Sequence, residues 1–247
     1  MLWPKLAIGV LCAVTMLAAQ DIAAGTALPV TLNSTLDAKK DKPGEKIEAK
    51  LMQDVPLSAG EKIKSGSHVI GHVVEVTKPA SGGSRVVLKF DQLEAEGKMI
   101  PLTVSARAIA AMESVYAAEV PIDAESNYES SNEWTMRQVG GEIVNRGRGF
   151  IVSGDTIVGK WKGAAWGKLT PPLDGGCPVS DGDDREQALW VFSTSACGLY
   201  GFHDVKLVHA GRTDPVGQIA LESEQDLHVG DGSGWLLLVS AAAPATH

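Results

Sequence analysis

The hydrophobic positions of the first 110 residues recur with period two. Leu28, Val30 and Leu32 face one way, Thr31 and Asn33 the other; Ile47, Ala49 and Leu51 alternate with Glu48 and Lys50. Val86, Leu88 and Phe90 alternate with Arg85, Lys89 and Asp91. Ile100, Leu102, Val104, Ala106 and Ala108 share one face, with Thr103, Ser105 and Arg107 on the other. This alternation marks half-buried strands. Residues 69–76 are apolar on both faces, which fits a central strand covered from both sides.

Turn-forming clusters separate these runs at Lys42-Pro43-Gly44, Ser58-Ala59-Gly60, Ser65-Gly66-Ser67, Ser81-Gly82-Gly83 and Glu96-Gly97. Five short strands over residues 25–110 predict a small five-stranded β-barrel, because closure removes the exposed edges of an open sheet. Pro101 marks a strand start or an edge. The barrel is expected to fold by itself.

Residues 110–119 suit a short helix, and residues 121–132 are polar and acidic with no hydrophobic period, so 111–133 reads as a linker. The β pattern resumes at Trp134, with candidate strands at 135–139, 142–146, 150–152, 156–168, 188–193, 205–209, 218–222 and 235–239. Eight short strands predict a β-sandwich or second barrel over 134–240. Residues 241–247 read as a disordered tail. The chain is therefore expected to be all-β.

The first 24 residues read as a signal peptide. Lys5 supplies the positive charge, residues 6–19 are almost continuously apolar, and Ala18, Ala19, Ala23 and Ala24 offer cleavage points near 19–21 or after 24. The run is shorter than the roughly 20 residues a spanning helix needs. An uncleaved anchor is the alternative. Cys12 follows Leu11, where a lipoprotein signal requires a small residue. After cleavage no second segment is long enough to span a membrane, and the protein is expected in the periplasm or outside the cell.

Export changes the reading of the cysteines. Cys177 and Cys197 are the two left in the mature chain, and they form a natural disulfide pair in an oxidising compartment. Two free buried thiols are the alternative. Neither cysteine belongs to a Cys-x-x-Cys pair, so zinc and redox chemistry have no support. Residues 1–110 hold 13 basic and 11 acidic side chains and residues 111–247 hold 9 and 19, so the second half carries −10 and the whole chain −8. That argues against nucleic acid as a partner.

In the first domain the segments Gly25-Thr26-Ala27-Leu28, Pro43-Gly44, Asp54-Val55, Ile63-Lys64-Ser65-Gly66-Ser67-His68-Val69-Ile70-Gly71, Ser84-Arg85-Val86-Val87-Leu88 and Asp91-Gln92-Leu93 follow one another in order. Together they resemble the β-barrel domain of the TrbI-like scaffold proteins of conjugation and type IV secretion channels. Lys64 stands where that family has proline. The resemblance spans residues 25–109 and implies a barrel fold and an envelope setting.

Several motifs outline chemistries. Gly154 to Lys160 has the spacing of a phosphate-binding loop, but Trp161 stands where a magnesium-binding hydroxyl is required and the surrounding pattern is β. Gly230-Asp231-Gly232-Ser233-Gly234 outlines a serine-hydrolase elbow, with Asp231 where glycine belongs; His209 and His228 are the available bases. His68 and His72 share a strand face about 13 Å apart, too far to share a metal.

Asp181, Asp183 and Asp184 form an oxygen-rich loop that suits either a weak calcium site or a solvated acidic surface. Trp161, Trp166 and Tyr200 are candidate partner-binding aromatics, with core packing as the alternative. Trp161 and Trp166 are five apart and so point to opposite faces of a regular strand. No cofactor is implied. The composite expectation is a non-catalytic exported envelope protein with a scaffold or partner-binding role. The alternatives are a carbohydrate- or cell-wall-binding module using the tryptophans and, third, an exported hydrolase.

Overall fold

The computed structural model describes residues 22–57, 60–80, 82–120, 134–141, 143–146, 149–172, 176–179, 183–210 and 217–240. About 51% of the described residues are strand and 5% helix, which makes the fold all-β. The signal segment up to residue 21, the core of the expected linker (121–133), Asp181 and the tail lie outside the described residues.

In chain order the first strands are β1 (Ala27–Leu32), β2 (Leu36–Asp37), β3 (Lys46–Leu51), β4 (Val55–Pro56), β5 (Lys62–Ile63), β6 (His68–Thr77), β7 (Ser84–Ala95), β8 (Lys98–Pro101) and β9 (Val104–Ala110). Helix α1 (Met112–Glu119) follows, then β10 (Trp134–Arg137), β11 (Ile143–Arg146), β12 (Phe150–Ser153), β13 (Thr156–Trp161) and β14 (Ala165–Gly167). The last are β15 (Gln187–Trp190), β16 (Gly198–Tyr200), β17 (Val205–Val208), β18 (Ile219–Ser223), β19 (His228–Val229) and β20 (Gly234–Val239).

One sheet dominates, ordered β16-β9-β20-β1-β3-β6-β7-β18-β17 with β8 on the second half of β7. The short step from β8 into β9, where the Leu102 N–H donates to the Asp91 carbonyl at 2.8 Å, brings the sheet nearly closed as a barrel. Glu96 and Gly97, both at positive φ, make the β7–β8 hairpin turn, where glycine meets the backbone demand without strain.

The strand pairing does not divide at residues 110–133. β20 lies between β1 and β9, and β18 pairs with β7, so the last strands complete the sheet begun by the first. The reason is written in β20 itself: Trp235, Leu236 and Leu237 are all fully buried, and a strand apolar on both faces must be covered on both. Two cores result. Leu28, Val30, Leu88, Phe90, Trp235 and Leu237 belong to the first. Ala108, Ala110, Val115, Trp190, Phe192 and Leu236 belong to the second, against α1 and the smaller sheets.

A bulge sets which side of β9 serves which core. Leu236 pairs with Ala108 and Leu237 with Ala106, leaving Arg107 as the extra residue. The bulge breaks the alternation read from sequence: Ala106 belongs to the first core and Ala108 to the second. Arg107, expected on a polar face, is 0% exposed.

The second half holds shorter sheets. β12-β13-β14-β15 form a four-stranded meander and β10 pairs with β11. Residues 156–168, expected as one strand, turn between β13 and β14, and β16 pairs in parallel with β9 where no strand was expected. Among the described residues no helix is long and apolar enough to cross a membrane.

Candidate functional site

The sequence-derived candidates separate in space. Trp161 is 5% exposed and belongs to the second core, so it presents no stacking surface. Trp166 is half-buried against the first core. Lys160 pairs with Trp166 and Trp161 with Ala165, so the two indoles stand on opposite faces of the hairpin, as their spacing implies. Asp183 is held below the usual carboxylate range, chiefly by hydrogen bonds from Arg185 at 2.8 Å, and Asp184 pairs with Lys168. Among the described residues no three His, Cys, Asp or Glu side chains gather as metal ligands.

The motif outlines resolve into turns. Gly154 and Asp155 are the two-residue tip of the β12–β13 hairpin, and Lys160 pairs with Glu186 at 2.7 Å. The helix N-terminus that a phosphate loop requires is missing there. Ser233 is 1% exposed and its Oγ accepts from the Trp235 indole N–H at 2.9 Å; the turn leads into β20, not a helix. His68 Nδ1 lies 2.6 Å from Glu48 Oε1, and His72 Nδ1 lies 3.2 Å from Asp91, so each histidine has its own carboxylate.

Cys177 and Cys197 form a disulfide, with Cα atoms 5.9 Å apart. Arg107 sits beneath it. The guanidinium donates from Nε to Ala196 O at 2.9 Å, from Nη1 to Pro178 O at 3.4 Å and from Nη2 to Thr170 O at 2.6 Å. No carboxylate pairs with it among the described residues, and burial lowers its pKa to about 10. A cation so placed ties the carbonyls of Pro178 and Ala196, each next to a half-cystine, and of Thr170 to the barrel wall.

A groove of about 400 Å³ lies between α1, the segment after β10, and β16. One wall is Ala117 and Ala118 of α1; the other is Gln138, Gly140 and Gly141, with Tyr200 at the end. The Ala111 N–H donates to Tyr200 O at 2.8 Å, and the Tyr200 hydroxyl accepts from the Cys197 N–H at 2.9 Å, so the ring is fixed at both ends. A Cβ on Gly140 would fall 2.4 Å from Ser193 Oγ; only glycine lets this wall close on the loop behind it.

Gln138 is the groove's distinctive residue. It is 2% exposed; its Nε2 donates to Phe192 O at 2.8 Å, while its Oε1 has no hydrogen-bond partner among the described residues. Buried amide oxygens are normally satisfied, and this one is shielded from solvent beside the groove. Sequence reasoning named Tyr200 but missed Gln138 and Arg107. Gln138 stands in a polar stretch with no motif around it; the apolar residues Val104, Ala106, Ala108, Ile109 and Ala110 around Arg107 were the one available signal that it is buried.

Compared with known proteins, the chain matches no family model and no curated protein sequence.

Proposed function

We propose that this is a non-catalytic exported protein of the cell envelope, in which a barrel-shaped sheet carries a groove that receives a partner. The observation that carries this reading is the groove beside α1, walled by alanine and glycine with Arg137 in its lining. Volumes of about 300–1,000 Å³, mostly apolar with a few polar atoms, are those of binding sites. The signal-like N-terminus, the disulfide and the resemblance of residues 25–109 to TrbI-like scaffold barrels support the periplasm or exterior as its place of action and a scaffold as its mode.

The ion-paired or buried state of the motif residues supports binding over hydrolysis as the role. The buried Trp161 removes one of the two indoles on which glycan recognition would depend. The test is a photo-cross-linking side chain at Ala117, in the groove, or at Lys50, on the exposed face of β3, in cells. A discrete adduct at Ala117 and none at Lys50, with the protein recovered from the periplasm or medium, is the expected result. Equal labelling at both positions, or recovery of unprocessed protein from the cytosol, contradicts the reading.

A further inference from the structure

We propose that the groove takes a short peptide segment bearing a carboxylate beside small apolar side chains; this rests on the partner-binding reading above. Arg137 is the one charged side chain in the groove lining. It is exposed and has no ion pair among the described residues. In a chain of net charge −8, a guanidinium at a concave surface with no carboxylate of its own selects an anion. Glu113 and Glu119 of α1 stand outside the lining.

The remaining lining fits a main chain. Ala117, Ala118, Gly140 and Gly141 carry at most a methyl group, so a peptide backbone can approach the walls closely. Val139 adds apolar surface for a small side chain and Ser114 a hydroxyl at the helix wall. A carboxylate on Arg137 and a methyl-sized side chain between the alanine and glycine walls together define the ligand.

The experiment selects from a random heptapeptide display library on the oxidised full chain. Enriched peptides are then synthesised with fluorescein and titrated by fluorescence anisotropy against the wild type and the variants Arg137→Glu and Ala117→Trp. Both positions are solvent-exposed, and unchanged thermal transitions confirm that the variants are folded. The expected result is enrichment of Asp- or Glu-bearing peptides whose affinity falls by about tenfold or more in Arg137→Glu and weakens with salt. Ala117→Trp, which fills the groove, also abolishes binding.

Enriched peptides that lack a carboxylate, or that bind Arg137→Glu as well as wild type, overturn the carboxylate inference; if Ala117→Trp still blocks them, the groove reading survives. Peptides indifferent to Ala117→Trp, or no enrichment at all, count against both.

Discussion

The Arg107 guanidinium donates through Nε to the main-chain carbonyl of Ala196 at 2.9 Å, next to the disulfide half-cystine Cys197. A bulged residue of the barrel wall thus holds the loop that a covalent bond also holds. Replacing Arg107 by Met keeps much of its volume but leaves the carbonyls of Ala196, Pro178 and Thr170 without their donors. We expect a loss of about 3 kcal/mol, since each orphaned buried group costs about 1–3 kcal/mol. Denaturant unfolding measures it. A loss below about 0.5 kcal/mol, the range of surface substitutions, would show that water replaces the guanidinium freely.

The disulfide acts on the same loop, so its removal is not independent. The paired change Cys177→Ser and Cys197→Ser is expected to cost about 3 kcal/mol for a 20-residue separation. Combined with Arg107→Met, the total departs from additivity by about 0.5–3 kcal/mol, as for residues sharing one structural unit. Strict additivity in the double-mutant cycle would mean the two ties act separately.

Trp161→Ala is expected to destabilise the fold by about 3–5 kcal/mol, as for truncation of a core aromatic. Trp166→Ala, half-buried at the surface, costs less. Thermal unfolding of the two variants gives the order; a more stable Trp161→Ala than Trp166→Ala would place Trp161 outside the core.

Ser233 serves Trp235. Its Oγ accepts the indole N–H inside the first core, so Ser233→Ala leaves a buried donor unsatisfied and costs about 1–3 kcal/mol. A fluorophosphonate probe is expected to leave the folded protein unlabelled. Mass-spectrometric labelling at Ser233 would reverse this and revive the hydrolase reading.

The Asp54 carboxylate accepts first from Lys62 and then from the Ser65 N–H at 2.9 Å, and both hold its pKa below the ordinary 3.8. Its contribution to stability is therefore complete above pH 3.8 and is lost as pH falls through the lower folded value. The side chain is about a third exposed (32%), so solvent screening keeps Asp54→Asn under about 1 kcal/mol at neutral pH. The difference between wild type and Asp54→Asn should vanish in acid. A difference that grows on acidification would contradict the assignment.

Period-two alternation made the strands legible, because each half-buried strand records its own inside and outside. Pairing partners are not recorded that way. Residues 235–239 announce a strand, yet nothing local says that Trp235 stands opposite Val30 on one side and Ile109 on the other. The bulge at Arg107 is equally silent, since its cause is the register of a strand more than 120 residues away. The cysteine pair was readable because two half-cystines leave one combination. Of the groove, Tyr200 was visible as an aromatic, while Gln138 becomes notable only through the atom it leaves unpaired.

The account depends on a single sheet closed by the two ends of the chain, and separated fragments test it most directly. Residues 22–110 alone lack β18 and β20, which pair with β7, β1 and β9. That fragment is expected to show no cooperative thermal transition, and adding a peptide of residues 217–240 to restore one. A fragment 22–110 that unfolds cooperatively by itself, indifferent to the added peptide, would contradict the account.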